Sequence, residues 1–147
     1  MDHKLPRVAS FLGLAGIVPQ LLAGLVSLHP PHMAFGQFAA FLYGALILSF
    51  LGGMWWGVAA TNPNASRWLY FVAVLPTLVA FVAGLLWIVR TGSPGQSLLI
   101  VGLGLLFAPL VDWQLHRRGM VPKGWLTLRV ILSTGLGVLT LLLAVKS

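Results

Sequence analysis

Long apolar runs divided by short polar breaks set the pattern of this chain. The first run extends from Val8 to Leu28, and four more follow at about 35–60, 68–89, 97–114 and 124–145. A helix needs about 20 apolar residues to cross the hydrocarbon layer, and each run is close to that or longer. The breaks read HPPHMA (29–34), TNPNASR (61–67), RTGSPGQ (90–96) and QLHRRGMVPK (114–123). They hold the Pro, Gly and Asn that end helices and form turns. The pattern predicts an all-α integral membrane bundle of five transmembrane helices, forming one domain over residues 1–147. No break is long enough to fold as an extramembrane domain. The first run also exceeds the roughly 7–15 apolar residues of a secretory signal, so it reads as a span.

Composition turns that pattern into a membrane assignment. Hydrophobic residues make up 59% of the chain and charged residues 7%, against roughly 25% charged in soluble domains. The net charge is +7, but the basic residues stand at the ends of runs rather than in an aromatic-interleaved stripe. That spacing excludes nucleic acid as a partner and leaves the lipid bilayer. Lys4, Arg7, Arg67, Arg117, Arg118 and Lys123 fall on one side, and Arg90 and Lys146 on the other. The positive-inside rule then puts the N-terminus in the cytoplasm and the C-terminus outside, across a bacterial cytoplasmic (inner) membrane. The absence of cysteine removes disulfide and thiolate chemistry.

Within the runs, small residues recur at helical spacing. Gly13, Gly16, Gln20, Gly24 and Ser27 share one face; Ser49, Gly52, Gly53, Trp56 and Ala60 share another; Ala73, Pro76, Thr77, Ala80 and Gly84 a third. Leucines gain little by hiding from acyl chains, so close backbone approach at Gly, Ala, Ser and Thr is what joins helices in lipid. These faces are expected to be packing seams, with Ile47, Leu51, Met54 and Val58 turned to lipid. Trp56 is expected inside the bundle, and Trp55, Trp68, Trp113 and Trp125 in the interfacial aromatic belt. The glycines either close a seam or clear room for a ligand. The candidate ligand-binding set is Trp56, Tyr43, Gly52, Gly53, Ser49 and Gln20. Pro19, Pro76 and Pro109 each remove a backbone hydrogen bond within a span and are expected to kink it.

Chemistry-bearing side chains are few. Asp112 and Arg129 are symmetric about the loop that joins the last two runs, so an antiparallel hairpin brings them to one depth. Pairing would offset the cost of holding each in the bilayer, which predicts an intramembrane ion pair, with His116 one turn from Asp112 placed to join it. The pair either staples the hairpin or handles a proton or ligand. His29 and His32 fall short of a metal-ligand set, so no metal is expected. No histidine lies inside a run for bis-histidine haem. Ser49 has no base at helical spacing, so no catalytic residue is named and no cofactor is expected.

The stretches GLAGIVP (13–19), YGALILSFLGGMWWG (43–57), VLPTLVA (74–80) and WLTLR (125–129), with Asp112 ending the fourth run, resemble the domain of unknown function 3429 family of transmembrane protein 69-like small membrane proteins. The resemblance covers most of the chain. It implies a compact multi-helix membrane domain in bacterial or mitochondrial-type settings, an acid and a late arginine at Asp112 and Arg129, and no known activity. Trp55 departs from it, since members often carry Arg or His there.

Three functional classes follow, in this order. The first is a non-enzymatic accessory or assembly module that packs against a larger membrane protein complex or forms a homo-oligomer. The second is a binder or transporter of a small apolar or lipid-like ligand, with its pocket beside Trp56. The third is a membrane enzyme using Asp112 and His116.

Overall fold

The computed structural model describes residues 4–89 and 93–147; Asp2 and Arg90 lie outside the described residues. Helices α1 (Arg7–Ala15), α2 (Val18–Ser27), α3 (Met33–Thr61), α4 (Arg67–Val89), α5 (Pro94–Arg117) and α6 (Trp125–Val145) follow in order, with a 3-10 turn at Pro30–His32. Together α1 and α2 make the first span, so the described residues hold five spans long and apolar enough to cross a membrane.

The first span is interrupted rather than merely kinked. Pro19 sits in the first turn of α2, where its missing N–H costs least, and Gly16 and Ile17 separate the two helices. Tyr43 of α3 donates its hydroxyl proton to the Gly16 carbonyl at this break, at 2.5 Å. A side chain thereby caps a carbonyl that the interrupted helix leaves at its end. Pro76 and Pro109, in contrast, lie within α4 and α5, which continue through them.

Small residues let the remaining helices approach. The α5–α6 hairpin is the most extensive pairing. At its centre a Cβ on Gly102 would lie 2.8 Å from Leu141, and one on Gly137 would lie 2.7 Å from Leu106. The hairpin turns through a Schellman motif: Gly119 takes φ +66°, Met120 N–H donates to Leu115 O, and Gly119 N–H donates to His116 O. Helix α3 is central and touches α2, α4, α5 and α6. It buries Gly36, Ala40, Gly44, Leu48, Leu51, Gly52, Trp55 and Ala59. Gly36 meets the Ser27 backbone of α2, Gly44 meets Val101 of α5, and Gly52 meets the Ala73 carbonyl of α4. At the other face of the bundle, Leu5 N–H donates to Lys123 O at 3.3 Å. The N-terminal segment and the α5–α6 loop therefore share one end.

The seams of the first and third runs lie where the sequence places them, except that Gly24 has nothing within 4 Å of a notional Cβ and Thr77 is exposed. The inward face of α3 corrects the expectation. Trp56 is 48% exposed and meets Tyr70 edge-on at 5.0 Å, whereas Trp55 is 3% exposed and inside. Gly53 has nothing within 4 Å of a notional Cβ, and Ala60 is exposed. Leu51, expected at the lipid, is core. Gly52 and Gly53 are one step, or 100°, apart, and contact with the Ala73 carbonyl selects Gly52. Trp55 then follows Gly52 into the interior, and Trp56 turns away.

Candidate functional site: a buried carboxylate, two indoles and an arginine beside a cavity

Asp112 of α5 is fully buried, one turn before the helix reaches its Schellman cap. Three donors from two other helices converge on it. Trp55 Nε1, from the second-last turn of α3, donates to Oδ1 at 3.1 Å. Trp125 Nε1, from the first residue of α6, donates to the same oxygen at 3.0 Å. Arg129 Nε, one helical turn further along α6, donates to Oδ2 at 3.1 Å. Gly124 precedes Trp125 with φ +89°, a left-handed conformation that directs the chain into α6.

A carboxylate only accepts hydrogen bonds, so three donors suit it. Charge-assisted bonds are the stronger kind, and they offset the cost of removing both charges from water. The match is incomplete on the arginine side. Oδ1 is committed to the indoles, the carboxylate meets Arg129 through Nε, and Arg129 Nη2 is buried with no hydrogen-bond partner.

Arg129 also forms part of the wall of a cavity of about 470 Å³ between α1, α3 and α6. Leu12, Gly16, Tyr43, Met54 and Leu132 are among the residues around it, and the lining is chiefly apolar. Helix α1 closes one side yet buries none of its own residues. Further along α6, Gln20 is fully buried and donates from Nε2 to Thr140 Oγ1 at 2.7 Å. Thr140 passes its own proton to Leu136 O at 2.7 Å, and Gln20 Oε1 has no partner.

The residues expected to form a ligand site do not come together. Tyr43 lines the cavity, Gln20 lies in the interior against α6, and Gly52 is spent on contact with α4. Ser49 is half-buried, and Gly53 and Trp56 face outward. A separate, wholly apolar groove of about 460 Å³ beside Trp56 is lined by residues of α3 and α4, including Tyr70, Leu75 and Leu78. Asp112 and Arg129 meet as the hairpin geometry requires. His116 is exposed and stays outside their network, because α5 beyond Leu115 has left the bundle.

Trp55 and Trp125, expected in the aromatic belt, instead satisfy the acid. Their signal was available: Trp125 precedes Arg129 by four residues and so shares its face. Trp113 is exposed and Trp68 is half-buried against the core, and they lie beneath the Arg117 and Arg118 guanidinium groups, at 4.8 and 5.6 Å from the ring centres.

A family model described as "Protein of unknown function (DUF3429)" matches residues 5–145. Transmembrane protein 69 of Xenopus tropicalis is 34% identical over 135 residues, which is 87% of this chain and 50% of that protein. Transmembrane protein 69 of Mus musculus is 30% identical over 106 residues, 68% of this chain and 42% of that protein. The chain thus spans about half the length of the curated relatives it matches. No solved structure matches it. The match across residues 5–145, nearly the whole bundle, makes this chain a member of the DUF3429 family of transmembrane proteins.

Proposed function

We propose that this protein is a non-enzymatic binder of a lipid-like ligand. It works as a multi-pass protein of a bacterial cytoplasmic membrane, with the N-terminus in the cytoplasm and the C-terminus outside. One observation carries the reading: a chiefly apolar cavity of about 470 Å³ lies between α1, α3 and α6, with Arg129 and Tyr43 among the residues that line it. The volume falls within the roughly 300–1,000 Å³ of small-molecule sites, which are mostly apolar with a few polar groups.

The binding reading stands ahead of the two alternatives. Asp112 has both oxygens engaged and His116 is exposed, so the acid–histidine pair that catalysis would use is not assembled. Docking against a larger membrane protein would draw on the groove beside Trp56, but that groove exposes almost no polar surface and acyl chains fill such a surface equally well.

Native mass spectrometry of protein released from membranes in mild detergent tests the proposal. Wild type is expected to retain a lipid-like mass. Ala9→Phe, which projects from the loosely packed α1 into the cavity, is expected to lose it with little change in melting temperature. A wild type that carries no such mass, or one equally retained by the variant, would remove the reading.

A further inference from the structure

A second pocket, of about 340 Å³, opens at the end of the bundle away from Asp112. It is lined by Ser27 and Leu28 at the end of α2, Met33 and Gln37 in the first turns of α3, and Lys146 just past α6. Lys146 follows Arg129 by 17 positions, about 25 Å along a helix, so this pocket is separate from the cavity beside α1. Gln37 is 7% exposed, and its amide makes no hydrogen bond among the described residues. The amide is nevertheless not sealed in. Among the described residues, the buried side-chain atoms without a partner are Gln20 Oε1 and Arg129 Nη2, so both amide atoms of Gln37 keep accessible surface. The pocket is the opening that Gln37 lines. Helical side chains lean toward the start of their own helix, which carries this amide toward Met33.

Charge decides what suits it. Lys146 forms no ion pair among the described residues, and the acid side chain among them, Asp112, is engaged at the far end. A cationic group would be repelled, and a neutral one would leave the ammonium unanswered. An anion gains that charge and an amide N–H together. Ser27 Oγ gives its proton to Gly24 O at 2.6 Å, so the side-chain donors open to a ligand are Lys146 Nζ and Gln37 Nε2. Lys146 directly follows the 21-residue span of α6, which places the pocket at headgroup depth, where the anions at hand are phosphates. We infer that this pocket binds the phosphate of a phosphate ester, held by Lys146 Nζ and Gln37 Nε2. The ester is a phospholipid headgroup or a soluble molecule with the same group, and Leu28 and Met33, both exposed beside the donors, suit the lipid.

The test titrates the full chain in neutral detergent with dioleoylphosphatidylglycerol, dioleoylglycerol and glycerol 1-phosphate, with affinities read by native mass spectrometry. Basic residues at the opposite end also attract anionic lipid, so variants carry the reading. Lys146→Gln should weaken phosphatidylglycerol binding about fivefold. Gln37→Leu changes no charge and breaks no hydrogen bond among the described residues, and should weaken it by about as much. Gln37→Glu keeps the side-chain shape, withdraws the donor and offers Lys146 a carboxylate; it should lose the lipid at least as fully, which covers a Gln37→Leu that folds poorly. Dioleoylglycerol binding should not change in any of them, and Ala9→Phe should leave phosphatidylglycerol binding here intact. Competition by glycerol 1-phosphate at equal concentration would name the soluble ester as the source, and its failure to compete the lipid. Phosphatidylglycerol binding that survives both Gln37 variants would overturn the site, even where Lys146→Gln weakens it, because a surface charge needs no pocket. An equal loss of dioleoylglycerol would overturn it as well, by showing that the apolar rim and not the phosphate is recognised.

Discussion

Trp55 and Asp112, 57 positions apart in the chain, are joined inside the bundle by an indole-to-carboxylate hydrogen bond of 3.1 Å. The adjacent Trp56 has no part in it and faces outward. Two neighbouring tryptophans thus carry different burdens. Trp55→Phe keeps most of the ring volume but removes a donor to a buried charge, which should cost about 2 kcal/mol. Trp56→Phe should stay within about 0.5 kcal/mol, as for ordinary surface changes. Unfolding in mixed detergent micelles reads both. Equal effects would contradict the inward placement of Trp55.

The Asp112–Arg129 pair should behave as a coupled unit. Arg129→Gln alone leaves a buried carboxylate without its counter-charge, and Asp112→Asn alone leaves the guanidinium in the same condition. Each should destabilise by about 3–5 kcal/mol. The double variant exposes neither uncompensated charge, so its loss should fall short of the sum by about 1–3 kcal/mol. A double-mutant cycle on unfolding free energies measures this. Strict additivity would mean that the two groups do not interact.

Gly52 and Gly53 offer a second contrast between neighbours. A methyl at Gly52 would collide with the Ala73 carbonyl, a backbone atom that moves only if α3 and α4 separate, whereas Gly53 has open space. Gly52→Ala should cost at least about 2 kcal/mol, in the manner of overpacked cores. Gly53→Ala should be neutral or slightly favourable, since alanine is the better helix former by about 1 kcal/mol. Melting temperatures of the two variants, measured side by side, check the prediction. Equal loss in both would refute the α3–α4 seam.

Much of this architecture was legible because the bilayer permits few solutions. Run length gave the five spans, and the symmetry of Asp112 and Arg129 about their loop anticipated the contact between them. Small residues served well in the first and third spans, but in the second they occur on both sides. Gly52 and Gly53 tie, and a tie resolved the wrong way rotates every later residue. The series Gly36, Ala40, Gly44, Leu48 and Gly52, four apart, held the resolving signal, because all of them are buried. The cavity was beyond reach of any single run. It lies between α1, α3 and α6 beside the break at Gly16–Ile17, and α1 itself reads like any lipid-facing helix.

Orientation across the membrane is the remaining property that the charges predict and one experiment decides. The contact between the N-terminal segment and the α5–α6 loop puts Lys4, Arg7, Arg117, Arg118 and Lys123 at one end of the bundle. Arg67, starting α4 after two membrane crossings, belongs to the same end. Lys146 sits at the other. By the positive-inside rule such an excess is expected to hold that end in the cytoplasm. The chain has no cysteine, so single cysteines introduced at Ser66 and Ser147 report without background. In intact cells Ser147→Cys should react with a membrane-impermeant maleimide, and Ser66→Cys only after permeabilisation. The reverse pattern would place the basic end outside. Labelling of both sites in intact cells would mean that the bundle does not hold a single orientation.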